Sequence, residues 1–447
     1  MDDHERERRV APLPAAPAHG LIAVVRRLSV LTRLPLISTW TTHQRRTLGL
    51  LGIINLFDVY ASALPTLALR QIQIDLGITD AHIGAVAAVA LLGVIPAVPL
   101  TVAADHAGRR RILLLTILGF ALCTALSGLA RTVPEFAILQ LLARVFLTAE
   151  ALLAVVVITE EFDARTRGSG IGLLGVMGGS GHMMASLAFA GIDVLPGGWR
   201  GLFVLGAAPL ALLPWLRRNL RETRRFEDHR RGRPRTGAAR SVLRPMVELV
   251  RMYPQRLLAL SGALLPTSFA VSTVIVFHSK FLQEQHAYTP ADVATLYAGA
   301  AILGVLGNVA AGTLGDRFGR KRILIAGLVA NAIGALIFYN AAAPWIVPAF
   351  GLLVFTLPVI QVLFAAIGSE LFPTSYRSTA SGARAVVFTV GSALGLWCEG
   401  WLYEASGSHA AAITTILAVS PIAPVVIARF LPETATRELE DIAPERA

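Results

Sequence analysis

Asp105-His106-Ala107-Gly108-Arg109-Arg110-Arg111-Ile112-Leu113 returns with the same spacing as Asp316-Arg317-Phe318-Gly319-Arg320-Lys321-Arg322-Ile323-Leu324. In both copies an acid, a glycine and a basic run separate two long apolar stretches. Glycine permits a tight turn between helices. Aspartate near a helix end can pair with arginine or cap free N–H groups, and clustered cations hold such a turn at anionic headgroups. A second echo follows: Glu160 precedes Arg167 by seven residues, and Glu370 precedes Arg377 by the same interval. A network of Asp105, Arg109, Glu160 and Arg167 is expected to latch one face of the protein. Positive charge as a mere topology signal accounts for one copy; two matched copies favour a mechanical role.

Outward from these turns, the chain divides into apolar runs of the length needed to cross a bilayer, about 20 residues. Twelve are read, at 48–69, 81–103, 110–131, 134–158, 168–192, 200–216, 257–280, 291–314, 323–342, 346–368, 380–402 and 410–431. The sixth is the shortest. About 34 of the 40 Lys and Arg fall before the first run, after the even-numbered runs or in the C-terminal segment. That bias places those segments in the cytoplasm, both termini included, which an even number of spans requires. The expected class is an all-α membrane protein of the inner or plasma membrane. Its twelve transmembrane helices form two pseudo-symmetric six-helix bundles, 48–216 and 257–431. A basic cytoplasmic linker, 217–256, joins them and carries thirteen arginines. Residues 1–47 form an N-terminal tail, in which 21–46 suit a basic interfacial helix or an unstructured tail, and 432–447 form the C-terminal tail.

Composition agrees. Of 447 residues 54% are hydrophobic and 15% charged, with a mean hydropathy of +0.62, against about 25% charged in an ordinary soluble protein. The 39 glycines suit helices that approach closely in lipid. A net charge of +11 raises nucleic acid as a partner, but the charges lie between apolar segments as topology demands, so no nucleic-acid partner is expected. Cys123 and Cys398 both sit in apolar runs, which argues against a disulfide framework or a metal cluster. Residues 2–9 (DDHERERR) with Pro12, Pro14 and Pro17 behind them do not read as a secretory signal.

At its repeated turns the chain resembles the major facilitator superfamily. Gly312-x-Leu314-Gly315-Asp316-Arg317-x-Gly319-Arg320-Lys321 matches that family's cytoplasmic-loop signature nearly completely. The first copy keeps Asp105 and Gly108 but has Thr101, Ala103 and His106 where the signature has Gly, Leu and Arg. Leu431-Pro432-Glu433-Thr434 with Glu438-Leu439-Glu440-Asp441-Ile442, Arg221-Glu222-Thr223, and Glu370-Leu371-Phe372-Pro373 with Arg377 resemble signatures of its sugar-porter-like and metabolite–proton symporter branch. The resemblance covers about residues 48–442. It implies two bundles that rock about a solute site near the midplane. Span five lacks the Gly-Pro pair of drug–proton antiporters, and span seven lacks the paired glutamines of sugar porters.

Ionisable residues inside spans are costly and face a cavity or a partner. Asp58 lies in span one, Arg144 and Glu150 in span four, Glu399 in span eleven, His182 in span five and His278 in span seven. Asp58 is the expected proton carrier, since a carboxyl that alternates between burial and a cationic neighbour loads and releases a proton. The resemblance assigns such parts to an acid in span one and an arginine in span four, and places Glu150 at an acidic position of metabolite symporters. The alternative is a static Asp58–Arg144 or Glu150–Arg144 pair that locks helices. Arg144 suits a carboxylate in bidentate fashion, with His278 and Lys280 adding positive field. His182, His278, Asn308, Asn331 and Gln361 are read as solute contacts or as packing residues.

The expected function is therefore secondary transport of a small organic solute, by proton-coupled symport of an organic acid. Sugar transport, efflux antiport and uncoupled facilitation are alternatives within the class; a membrane sensor and a membrane enzyme are alternatives outside it. No cofactor, metal or nucleotide is implied; partners are the solute, protons and the bilayer, and the unit is a monomer.

Overall fold

The structure is a computed structural model that describes residues 40–163, 166–219, 243–373 and 376–435. Most of the N-terminal tail, linker residues 220–242 with Arg221-Glu222-Thr223, and residues 436–447 with the Glu438–Ile442 motif lie outside the described residues. The chain divides into two units, Met1–Thr47 and Leu48–Ala447. In the first, Thr41 and Gln44 cap a helix start reciprocally: the Thr41 N–H donates to Gln44 Oε1 at 2.9 Å and the Gln44 N–H to Thr41 Oγ1 at 3.2 Å.

Twelve helical spans are long and apolar enough to cross a membrane: Thr42–Leu67, Asp80–Thr101, Arg109–Ser127, Val133–Glu161, Gly168–Ala190, Trp199–Asn219, Pro254–Gln285, Pro290–Phe318, Arg320–Asn340, Ala343–Glu370, Arg377–Ser406 and His409–Phe430. No strand occurs among the described residues. Spans four and eight start on the same device, a capping box of Thr132 with Glu135 and of Thr289 with Asp292, each followed by proline in the first turn. The short sixth run proves longer, reaching Asn219, because two helices, Trp199–Gly206 and Pro209–Asn219, meet at a break before Pro209. Span two divides at Gly93, three residues before Pro96, whose missing N–H leaves the Leu92 carbonyl without its helical partner. Span seven outlasts its apolar run by reaching Gln285; Lys280 and Glu284 end the hydrophobic pattern but bond to each other, so the helix continues.

The spans form two bundles of six. The strongest packing runs between spans three and four, seven and eleven, eight and ten, and nine and ten; span two meets span eleven and span five meets span eight across the bundle boundary. The internal repeat is visible in backbone contacts. A Cβ at Gly93 of span two would run into the Leu141 carbonyl of span four, and one at Gly307 of span eight into the Phe355 carbonyl of span ten. Likewise Gly181 of span five abuts the Leu56 carbonyl of span one, and Gly395 of span eleven abuts the Phe269 carbonyl of span seven. Each pair occupies matching spans of the two bundles, where small residues let helices touch backbone to backbone.

The turns after spans two and eight share an arginine-rich face with Arg217, Arg218 and Arg256. On the opposite face, spans two and eleven come closest: a Cβ at Gly84 would meet the Leu396 carbonyl and one at Gly400 the Ala81 carbonyl. Span eleven packs mainly on the first half of span two, Asp80–Leu92, and far less on Val94–Ala107. The two bundles are thus joined at the opposite face and diverge towards the arginine-rich one.

Candidate functional site

The repeated turns have nearly the same geometry. Gly108 has φ 102° and ψ 138°, Gly319 has φ 99° and ψ 131°, and each precedes the first residue of the next span. Arg109, after the first glycine, pairs with Glu160 through Nη2 at 3.1 Å and Nε at 3.2 Å. Arg320, after the second, pairs with Glu370 and, at 3.3 Å, with Asp316. Arg110 donates to the Arg217 carbonyl at the end of span six. Its counterpart Lys321 donates to the Ala428 and Leu431 carbonyls at the end of span twelve, at 2.7 and 2.8 Å. An arginine–glutamate pair thus forms within each bundle. The side chains of Asp105 and Arg167 lie outside the described residues. Arg377 donates to the Phe372 carbonyl at 3.4 Å rather than to an acid, Arg317 lies over the adjacent Phe318 ring, and Gly312 is exposed.

Inside the first bundle, Asp58 of span one and Glu150 of span four face each other, 4% and 1% exposed. Asp58 Oδ1 and both carboxyl oxygens of Glu150 have no hydrogen-bond partner. Neither acid forms an ion pair with Arg144 among the described residues, so the static Asp58–Arg144 and Glu150–Arg144 pairs weighed from the sequence do not form. The helix rotations bring the two acids together instead. Arg144 lines a cavity of about 90 Å³ with Ser62, Thr124 and Gln140 as further polar groups and Phe120 and Phe136 in its wall. Gln140, one turn before Arg144, donates to Ser127 at 2.9 Å; nothing in its apolar context marked it.

The other expected solute contacts are dispersed. His182 stacks on Tyr297 with ring centroids 5.9 Å apart, spanning the contact of spans five and eight. His278 is enclosed by Phe338, Tyr339 and Phe350 and does not open onto the cavity. Asn308 donates to its own helix at Gly304, Gln361 is exposed, and the buried Asn331 donates to Thr356.

A third constellation joins the bundles at the opposite face. Lys280, 2% exposed, donates to Gln73 at 2.7 Å and pairs with Asp80 at 2.8 Å and Glu284 at 2.6 Å. His409 places Nε2 3.1 Å from Asp80 and Nδ1 2.6 Å from the fully buried Glu399. Gln71 donates to Gln283 at 2.7 Å, and Ser279 to the Leu67 carbonyl at 2.6 Å. Glu399 and Lys280 stood out in the sequence as charges in or at the end of apolar runs. Asp80 and His409 read there as ordinary span ends.

Two helical bundles with a buried acid pair, an unpaired arginine on a cavity and matched charged turns define a polytopic carrier. The family model of the major facilitator superfamily matches residues 48–278 and 258–446, and the chain belongs to that family. It is a multi-pass membrane protein and a transporter of small solutes, not an enzyme. It is 26% identical over 348 residues to a probable 4-methylmuconolactone transporter of Cupriavidus pinatubonensis, covering 76% of this chain and 77% of that one. It is 24% identical to a cis,cis-muconate transport protein of Acinetobacter baylyi, covering 74% and 80%. Its fold matches a D-xylose–proton symporter with a TM-score of 0.71 at 18% identity, over 88% of this chain and 99% of that one.

Proposed function

We propose that this transporter couples entry of an organic acid to entry of protons, with Asp58 and Glu150 as the proton-carrying pair and Arg144 as the partner of the solute carboxylate. The observation that carries the reading is the buried approach of Asp58 to Glu150. Two carboxylates without a counter-charge repel, and a proton on one of them removes the repulsion. A carrier that exposes the pair first to one side and then to the other moves that proton. Arg144 supports an anionic solute: it is a fixed cation on a cavity, with planar geometry for two parallel hydrogen bonds. The relatives named for muconolactone and muconate transport support the same class.

In this reading the arginine-rich face is cytoplasmic, by the excess of Lys and Arg there, and both termini are inside. The protein works as a monomer in the inner or plasma membrane, on the linker and bundle boundaries read from the sequence. His182 beside Tyr297, with Asn308 and Gln361 on spans eight and ten, line the route of the solute between the bundles; His278 supports that bundle from within.

The test is solute-triggered proton movement in proteoliposomes, with carboxylates, sugars and cationic drugs offered in turn. Carboxylate uptake with proton entry is expected. Asp58→Asn and Glu150→Gln should abolish accumulation while leaving solute exchange. Carboxylate uptake that ignores both the proton gradient and these substitutions would leave an uncoupled facilitator.

A further inference from the structure

The cluster on the face opposite the arginines lies at the far end of span two from the loop glycine Gly108, which follows Asp80 by 28 residues, and is built from both bundles. Asp80 comes from span two; Lys280 and Glu284 come from span seven, Glu399 and Tyr403 from span eleven, and His409 from span twelve. If the bundles rock, Asp80 must leave Lys280 and His409 for this face to open. The backbone contacts at Gly84 and Gly400 lie beside the same cluster, so the charges and the closest helix crossing close together.

His409 is held from every side. Asp80 Oδ1 lies 3.1 Å from Nε2 and Glu399 Oε1 2.6 Å from Nδ1. The rings of Phe277 and Tyr403 lie 4.8 and 4.3 Å from it. Tyr403 also faces Asp80, Glu284 and Glu399. Asp80 carries Lys280 and the Gln73 amide as well, and Glu284 has Arg70 at 3.8 Å.

Hydrogen counting gives this bridge its chemistry. Each nitrogen-to-carboxylate link needs one hydrogen between its two atoms. A neutral imidazole has one N–H, and an ionised carboxylate has none. Asp80···His409···Glu399 therefore closes only with one proton more than a neutral imidazole and two carboxylates supply. The proton sits on the ring or on a carboxyl, and the count is the same. When the face opens, Asp80 withdraws and water replaces it, so the extra proton is no longer required.

We propose that Asp80, His409 and Glu399 form a proton-binding gate on the outer face of this transporter, which takes one proton from that side as it closes and returns it as it opens. The proposal rests on the orientation given above, and on alternating access, but not on Asp58. External acid then favours the closed outer gate, and Lys280 anchors Asp80 in register for the bridge.

Two labels report the gate directly. Cysteines replace Ile74 and Ala405, both exposed at this face, in a chain with Cys123 and Cys398 changed to serine. Spin-label distances are then measured across about pH 5 to 8, where an imidazole changes charge. The short distance should dominate in acid, and the open-to-closed ratio should rise with pH by up to about tenfold per unit, the limit for one linked proton. His409→Gln should flatten that response to below about twofold, since an amide supplies no exchangeable charge. His409→Arg, a permanent cation with donors for both carboxylates, should hold the short distance at every pH. The response should persist in Asp58→Asn. A parent distance indifferent to pH, or a response kept in His409→Gln, overturns the proposal. So does a response lost in Asp58→Asn but kept in His409→Gln, which would assign the proton to the inner pair.

Discussion

Glu433 holds the start of span nine: its Oε1 accepts the backbone N–H of Arg320 at 2.9 Å and, at 3.1 Å each, those of Thr434 and Ala435. A carboxylate there satisfies a free N–H of the helix end and meets the positive end of its dipole. The Leu431-Pro432-Glu433-Thr434 motif thereby ties the end of span twelve to the turn before span nine. Glu433→Ala should lower stability by about 1–2 kcal/mol, read as a fall in Tm of the detergent-solubilised protein. An unchanged Tm would show that water caps the helix equally well.

The two turn glycines are constrained in backbone, and Gly319 in space as well. Both have a φ near 100°, which an L side chain adopts at a cost of about 1–3 kcal/mol. At Gly319 an added Cβ would also collide with the Glu433 carboxylate. Gly319→Ala should therefore destabilise by more than its φ alone would cost, and combining Gly319→Ala with Glu433→Ala should cost less than the sum of the two changes. Strict additivity in that double-mutant cycle would contradict the contact.

Close approach of spans two and eleven makes a third prediction. Valine at Gly84 or Gly400 would push into a backbone carbonyl. Overpacking of about 1–3 kcal/mol would shift the equilibrium away from the state closed at this face by roughly 5- to 150-fold. Solute turnover should fall accordingly, at a normal amount of protein in the membrane. Gly299→Val is the control, because a Cβ there meets nothing within 4 Å; equal losses at all three positions would count against the contact.

Arg144→Gln should raise KM for a carboxylate solute by about 10- to 100-fold, the value of a charge-assisted hydrogen bond of about 1.5–3 kcal/mol. Proton movement through the Asp58–Glu150 pair should survive as leak, because Arg144 pairs with neither acid. Arg144→Lys should recover only part of the affinity, since an ammonium lacks the planar fork. Equal KM values in all three proteins would remove Arg144 from solute binding.

The fold was legible because its rules act along the chain. Span length, charge placement and the Asp-x-x-Gly-Arg repeat are properties of consecutive residues, and they led to twelve helices in two matched bundles. Arg109 with Glu160 and Arg320 with Glu370 could be anticipated because the repeat places each pair at one membrane face, at the ends of neighbouring spans. Local rules erred where polar residues were satisfied by partners: Lys280 and Glu284 ended the apolar run of span seven without ending its helix.

The site depended on something the sequence leaves open. A helix can turn about its own axis at no cost to composition or hydropathy, and that rotation decides which side chain meets which. From the sequence, Arg144 had Asp58 and Glu150 as its available partners. Only the packed bundle set the two acids against each other and left Arg144 on the cavity. Asp80 and His409 are 329 residues apart, each an unremarkable span end, and no periodicity relates them. What the sequence determined is how many times this chain crosses the bilayer and where its turns are fixed. What the tertiary structure decided is which buried charges face one another, because that is set by helix rotation and register across the bundles.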